Sequence, residues 1–174
     1  MQNASIQQII SVLNAANVRY LIAGGLAVVA HGHLRFTADV DLALALESEN
    51  LKRALAALNE IGYCPRLPVK ADEFADPQRR EQWIREKNMK VFSLISGQHR
   101  KTPIDLFAAL PFDFKAEYAR AVWIDIGDGL RAPFVSLDQL IAMKEKAGRP
   151  QDLLDVDVLK NIRALKAREG ADHG

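Results

Sequence analysis

The hydrophobic positions in the N-terminal part of the chain predict a helix, a short strand and a second helix. Apolar residues recur at helical spacing over residues 5–16, where Ser5 and Gln8 form a capping-box pattern. The apolar run 18–23 ends at two glycines, which predicts a strand followed by a turn. Residues 26–30 then predict a short helix that ends before a further glycine.

Residues 35–45 alternate between apolar and polar side chains. The apolar positions of one parity are Phe36, Ala38, Val40 and Leu42. The other parity includes Thr37, Asp39 and Asp41. Because successive side chains of a strand point to opposite faces, this period of two predicts a strand with one apolar and one polar face. Both aspartates should lie on the polar face.

The remaining pattern predicts further helices and strands in mixed order. Helices are predicted over residues 49–61, 78–87, 113–119, 136–147 and 152–168. Strands are predicted over residues 90–95, 102–108, 122–126 and 130–135, as two hairpin-like pairs. The proline-containing stretch 64–77 is expected to be mostly loop.

This order of elements predicts an α+β protein with a mixed β-sheet flanked by helices and a helical C-terminal part. Residues 1–135 are expected to form the core, and residues 136–174 a helical segment packed on it. The length of 174 residues and the hydrophobic content of 49% fit one ordinary globular domain.

Composition and charge exclude several classes of protein. The formal net charge of +1 provides no global field that would attract nucleic acid or an acidic membrane. The single cysteine, Cys64, excludes an internal disulfide and a multi-cysteine zinc site. The N-terminus lacks the basic region of a secretory signal, and the apolar run 20–34 is shorter than the roughly 20 residues of a membrane span. We therefore expect no membrane partner and a cytoplasmic location.

Two aspartates and two glycines are candidates for binding a metal ion and a phosphate group. Asp39 and Asp41, two residues apart on a strand, would have Cα atoms about 6.5–7 Å apart on one face. Paired carboxylates of this kind can share divalent cations, and oxygen ligands suit Mg²⁺ or Mn²⁺. Gly24-Gly25 follows a strand and opens a helix, where backbone N–H groups can approach a phosphate. Taken alone, the carboxylate pair is also typical of a solvated strand face.

A third carboxylate is expected on a later strand. Asp105 and Asp125 both lie between apolar residues, where an unpaired charge is costly to bury. Position on a strand does not by itself distinguish between them.

The residues 21–44, LIAGGLAVVAHGHLRFTADVDLAL, resemble the nucleotidyltransferase superfamily that includes DNA polymerase β and the aminoglycoside adenylyltransferases. The shared pattern is a Gly-Gly or Gly-Ser pair, then Asp-x-Asp with apolar flanks; here thirteen residues separate Gly25 from Asp39. Further details are closer to small bacterial proteins of the AbiEii toxin type. Many members carry Ser where this chain has Gly25, so that hydroxyl contact to phosphate is absent.

The resemblance implies a role for each matching residue. Gly24 and Gly25 would hold the triphosphate of a nucleotide. Asp39 and Asp41 would hold two metal ions, Mg²⁺ or Mn²⁺. Asp105 matches the third carboxylate by order and context, and it would help to bind metal and accept the proton of an attacking hydroxyl.

Basic residues add to this assignment. A late segment, residues 143–159, resembles the family's helix, bend and helix, with Lys144, Arg149 and Asp152 at the recurring positions. Lys144 and Arg35 are candidates for contact with phosphate. Each could instead be a solvated surface residue.

The implied activity is the transfer of a nucleoside monophosphate from an NTP to an acceptor hydroxyl, with release of pyrophosphate. The acceptor could be a tRNA end, a protein side chain or a small molecule. A toxin role would add a cognate antitoxin as partner. The alternative from a different class is a non-catalytic partner-binding module on the same fold, and a metal-dependent phosphohydrolase is a third.

Overall fold

Seven strands form one mixed sheet in the computed structural model, which describes residues 3–172. The strands are β1 Tyr20–Ile22, β2 Val40–Leu44, β3 Tyr63–Pro65, β4 Val91–Ser96, β5 Ile104–Phe107, β6 Val122–Asp125 and β7 Arg131–Phe134. The helices are α1 Asn3–Ala15, α2 Gly24–Ala30, α3 Ser48–Glu60, α4 Asp72–Ala75, α5 Pro77–Lys87, α6 Phe114–Ala119, α7 Leu137–Ala147 and α8 Pro150–Asp172.

The strand order is β3-β4-β5-β2-β1-β7-β6. The pairs β2–β5 and β1–β7 are parallel, and the other neighbours are antiparallel. The α+β class, the mixed sheet and the helical C-terminal part are therefore confirmed. Both expected hairpins are present as the antiparallel pairs β4–β5 and β6–β7.

The core lies between this sheet and the helices that cover it. All three residues of β1 are buried, and α1 buries Ile9, Ile10 and Leu13 on one face, as the helical spacing predicts. At the other end of the sheet, Phe92 of β4 stacks between Phe74 and Trp83, with ring centroids 4.6 and 5.8 Å away. Such stacking fixes α4 and α5 against the sheet.

The predicted strand over residues 35–45 begins only at Val40 in the structure. Residues 33–39 form no strand ladder, and their side chains are held by other contacts: Arg35 donates to Asp155, and Thr37 lies against Gly25. Tertiary contacts thus override the alternation here. Asp41 lies on β2, whereas Asp39 precedes it.

Two other local predictions are wrong. Ser5 does not cap α1, because the helix already includes Asn3; the Ser5 hydroxyl is buried and lies 2.9 Å from Nδ1 of His99. The stretch 64–77 is not mostly loop, since it completes β3 and contains α4. Tyr63 anchors β3 from within the core, where its hydroxyl donates to the carbonyl of Thr102 at 2.6 Å.

No helix among residues 3–172 is both long and apolar enough to cross a membrane. The division into a core up to residue 135 and a packed C-terminal segment stays a prediction. In the structure, β7 closes the first part and α7 and α8 follow it.

Burial of α1 should make a large contribution to stability. Leu13→Ala removes a fully buried side chain, so we expect it to lower the free energy of unfolding by about 2–5 kcal/mol. Leu154→Ala is the matched control, a helical leucine that is 60% exposed, and should change it by less than about 0.5 kcal/mol. Urea unfolding followed by circular dichroism measures both values. Similar losses in the two variants would contradict the packing of α1.

Candidate active site

Asp41 and Asp105 lie side by side on adjacent parallel strands. They are register partners in the β2–β5 ladder, and neighbouring strands are about 4.8 Å apart. Register partners point to the same face of a sheet, so both carboxylates face one cleft. Asp39 lines the same cleft, which has a volume of about 800 Å³. The structure therefore brings the three predicted carboxylates together.

The second candidate strand aspartate lies elsewhere. Asp125 ends β6 at the far edge of the sheet, is exposed, and accepts a hydrogen bond from the backbone N–H of Gly127 at 2.8 Å. Only Asp105, of these two, reaches the carboxylate pair. The hydrophobic pattern alone does not distinguish them, whereas the resemblance favours Asp105 by its order along the chain. The strand order places only Asp105 beside Asp41.

The surroundings of Asp41 disfavour the ionised form of its carboxyl group. Burial, together with the negative charges of Asp105 and Asp39, raises the pKa of Asp41 to about 6. The positive charge of Lys144 and a hydrogen bond from the backbone N–H of Gly25 oppose this rise. A site that confines three carboxylates in this way would favour a bound cation.

The donor set fits Mg²⁺ or Mn²⁺, because carboxylate oxygens are the hard ligands that these ions prefer. Within residues 3–172, no three His, Cys, Asp or Glu side chains form a ready-made cation cage. Mg²⁺ is ordinarily held by one or two carboxylates together with substrate phosphates and water. An open cleft with Asp39, Asp41 and Asp105 along its wall suits that form of binding.

The glycine pair makes room for the protein's own side chains. Gly24 has φ +59°, and a Cβ atom at this position would lie 1.8 Å from Oδ2 of Asp41. A Cβ atom on Gly25 would lie 2.3 Å from Oγ1 of Thr37. Both glycines line the cleft, as predicted. Their additional role, close packing against Asp41 and Thr37, was not foreseen from the sequence.

Ser93 is a residue that sequence reasoning missed. It pairs with Asp105 across the antiparallel β4–β5 ladder, and its hydroxyl donates to Oδ1 of Asp105 at 2.5 Å. This short hydrogen bond orients the carboxylate and leaves Oδ2 for other partners. The expected hairpin between these strands was the only signal that could have placed Ser93 here.

A buried ion network forms part of the lining of the cleft. Nζ of Lys144, on α7, lies 2.9 Å from carboxylate oxygens of both Asp152 and Asp155 of α8. Arg35 adds a contact from Nη2 to Asp155 at 2.9 Å, and Arg149 one from Nε to Asp152 at 2.7 Å. Both aspartates are fully buried. These contacts join α7, α8 and the segment that precedes β2.

Asp155 was also missed from the sequence. It lies three residues after Asp152, and the buried residues of the first half of α8 recur at helical spacing: Asp152, Asp155, Val156 and Leu159. The signal was therefore present, because two acidic residues on the apolar face of a helix require partners.

Lys144 and Arg35 both line the cleft, but carboxylates already bind them. Lys144 uses two contacts of an ammonium group that has three N–H donors. Nη1 of Arg35 donates to the carbonyl of Phe36 at 2.8 Å, and its buried Nε has no hydrogen-bond partner. The structure places both residues at the site. The third N–H of Lys144 and the second N–H on each Nη atom of Arg35 could meet a ligand, whereas Nε of Arg35 is too buried to do so.

A family model described as aminoglycoside-2''-adenylyltransferase matches residues 5–158. The chain belongs to this family. It is therefore an enzyme, a nucleotidyltransferase, and the non-catalytic module is set aside. The AbiEii-type resemblance finds no support in this match and stays a prediction.

Several solved structures have the same fold and can be superposed on most of the chain. ANT(2'')-Ia in complex with adenylyl-2''-tobramycin is 16% identical, with a TM-score of 0.57 and 99% of each chain covered. A lincomycin-bound lincosamide antibiotic adenylyltransferase is 15% identical, with a TM-score of 0.59 and coverage of 88% of this chain and 93% of that one. An antigenic nucleotidyltransferase-like protein from Paracoccidioides brasiliensis is 15% identical, with a TM-score of 0.54 and coverage of 94% and 75%.

At these identities the solved structures establish a shared fold. A search of curated proteins found no match. Membership of the aminoglycoside-2''-adenylyltransferase family therefore rests on the family model, and the roles of individual residues rest on the geometry above.

The contact between Gly24 and Asp41 can be tested by substitution. Gly24→Ala forces an alanine into a left-handed conformation and into Asp41, whereas Gly129→Ala, with φ +75° and open space around it, carries only the backbone cost of about 1–2 kcal/mol. We expect Gly24→Ala to lose at least about 1–3 kcal/mol more, because Asp41 must move. Urea unfolding of both variants gives the difference. Equal losses would show that Asp41 does not press on this glycine.

The ion network should make stability depend on acid pH. Burial would raise the pKa of Asp152, but hydrogen bonds from Arg149 and Lys144 and their charges outweigh it and hold the pKa at about 2. The unfolded value is about 3.9, so the unfolded state binds more protons at pH 3, and the stabilisation present above pH 4 is lost on acidification. Between pH 5 and pH 3, the wild type should lose about 1 kcal/mol more unfolding free energy than Asp152→Asn. Urea unfolding at each pH measures both values. The prediction is wrong if the unfolding free energies of the wild type and of Asp152→Asn fall in parallel between pH 5 and pH 3.

Proposed function

We propose that this enzyme transfers a nucleoside monophosphate from an NTP to a hydroxyl group of a small-molecule acceptor, with release of pyrophosphate. The observation that carries the proposal is the pairing of Asp41 with Asp105 on adjacent strands, in one cleft with Asp39 and the Gly24-Gly25 turn. Family membership supplies the reaction class, and this geometry suggests which residues perform it.

Asp39, Asp41 and Asp105 would hold Mg²⁺ or Mn²⁺ in this proposal. When bound, the metal would neutralise the triphosphate and the charge that develops at the reacting phosphorus. The repulsion that raises the pKa of Asp41 supports the assignment, since a cation would relieve it. The cleft also leaves room for the phosphate oxygens that would complete the coordination.

The phosphates would lie between the glycine turn and the buried ion network. Gly24 and Gly25 line the cleft, and the backbone of this pair, at the start of α2, would contact the triphosphate. Lys144 and Arg35 lie on the same lining, and the third N–H of Lys144 and the remaining Nη N–H groups of Arg35 would be directed toward it. Their carboxylate partners would hold these cations in position before the nucleotide arrives.

Asp105 would act as the general base. Ser93 fixes its Oδ1, so Oδ2 would accept the proton of the acceptor hydroxyl. The acceptor oxygen would form the new bond to the α-phosphorus, the bond from that phosphorus to the bridging α–β oxygen would break, and pyrophosphate would leave. Positioning and charge neutralisation would provide most of the rate enhancement.

A small, hydroxyl-bearing molecule is the acceptor class that the relatives support. One structural neighbour contains an adenylylated aminoglycoside, and another contains lincomycin. RNA or protein acceptors, a toxin role with a cognate antitoxin and a cytoplasmic location stay predictions from the sequence.

Labelled nucleotides test the reaction and its residues together. The protein would be incubated with each α-phosphate-labelled NTP, Mg²⁺ and a panel of hydroxylated small molecules, with and without EDTA. We expect label on an acceptor only when free metal is present. Asp41→Asn and Asp105→Asn should lower kcat/KM by about 10²-fold or more.

Asp125→Asn is the matched control, an aspartate-to-asparagine change at the far edge of the same sheet. It should retain near wild-type activity. Equal losses in Asp105→Asn and Asp125→Asn would mean that Asp105 is not the base. Full activity with EDTA would remove the metal from the mechanism.

A further inference from the structure

The charges that line the cleft are balanced before any ligand binds. Among the described residues, four aspartates and four basic residues line it. Asp152 is already bound to Lys144 and Arg149. The other three carboxylates, Asp39, Asp41 and Asp105, are those assigned to metal. No carboxylate of the described lining therefore remains for a positively charged acceptor.

The surface next to Asp105 is apolar. Phe107 follows Asp105 by two residues on β5, so both point to the same face, and Phe107 pairs in register with Val91 of β4. Leu140 and Met143 of α7 line the same cleft. An acceptor whose hydroxyl reaches Asp105 would bring the rest of its molecule near Val91 and Phe107 on the same face of the sheet.

Two exposed residues of the cleft lining, which we call its rim, also affect which acceptor can bind. Phe36, which lines the cleft, is 81% exposed, and such an exposed aromatic ring is available to cover an apolar ligand. Lys90 precedes Val91 and is an exposed cation of the same lining. A bound molecule with several positive charges would therefore meet a like charge where it needs carboxylates.

We infer that the acceptor of this enzyme is a hydroxyl-bearing molecule with an apolar face and at most one positive charge, bound against Val91 and Phe107, and not a polyamino sugar. The inference rests on the proposed function, because Asp105 defines the acceptor side of the cleft. Charge complementarity carries it: polycations are recognised by carboxylates, and this side of the cleft offers apolar surface and Lys90 instead.

Binding to the nucleotide-loaded protein tests the inference directly. The full chain would first be titrated calorimetrically with NTP analogues that do not react, in Mg²⁺; absence of metal-dependent nucleotide binding would count against the proposed function itself. The loaded protein would then be titrated with lincomycin, which has a single basic nitrogen, with tobramycin, which has several amino groups, and with N-acetylated tobramycin. We expect tobramycin to bind at least about tenfold more weakly than lincomycin, and N-acetylation to reduce the difference.

A charge reversal on the rim provides an independent measurement. Lys90→Glu should strengthen tobramycin binding to the nucleotide-loaded protein by about fivefold or more. Lys115→Glu, the same change at an exposed lysine of α6 outside the cleft, should leave tobramycin binding unchanged. Equal or tighter binding of tobramycin than of lincomycin by the wild type would overturn the inference. So would a loaded protein that does not bind lincomycin.

Discussion

The parallel pairing of β2 with β5 forces two carboxylates together, and the rest of the site is built around that constraint. Asp41 and Asp105 are register partners, so their charges repel in a half-buried cleft. Three contacts offset the repulsion: the backbone N–H of Gly25 and the charge of Lys144 act on Asp41, and Ser93 donates to Asp105. Folding tolerates this arrangement because the sheet around it buries a continuous apolar core.

The C-terminal helices take part in this compensation. Asp152 and Asp155 on α8 bind Lys144 from α7 and Arg35 from the segment before β2. Removal of any one member of such a buried network is destabilising, because it leaves a charge unpaired at a cost of about 3–5 kcal/mol. The helical part therefore holds the basic side chains of the cleft in place and also fixes the segment that leads into β2.

The cleft has two chemically different sides. Toward α2 and the ion network it is polar, with the glycine turn and the cations that suit a triphosphate. Toward β4 and the first turns of α7 it is apolar, with Val91, Phe107 and Leu140. If the acceptor binds on this apolar side, as we infer, a nucleotidyltransferase fold can keep its phosphate chemistry and change its acceptor, because the acceptor would meet side chains that do not take part in the reaction.

The sequence by itself determined the class of fold, most helices and strands, and the Gly24-Gly25 and Asp39-x-Asp41 pattern, because hydrophobic periodicity and motif spacing are local properties. The hydrophobic pattern could not distinguish Asp105 from Asp125, since both lie in similar apolar strands, and only the family resemblance favoured Asp105, by its order along the chain. Only the strand order, which depends on pairing between distant segments, places Asp105 beside Asp41. The same applies to Ser93 and Asp155. Their roles arise from contacts across the sheet and between helices, and tertiary packing alone decides these.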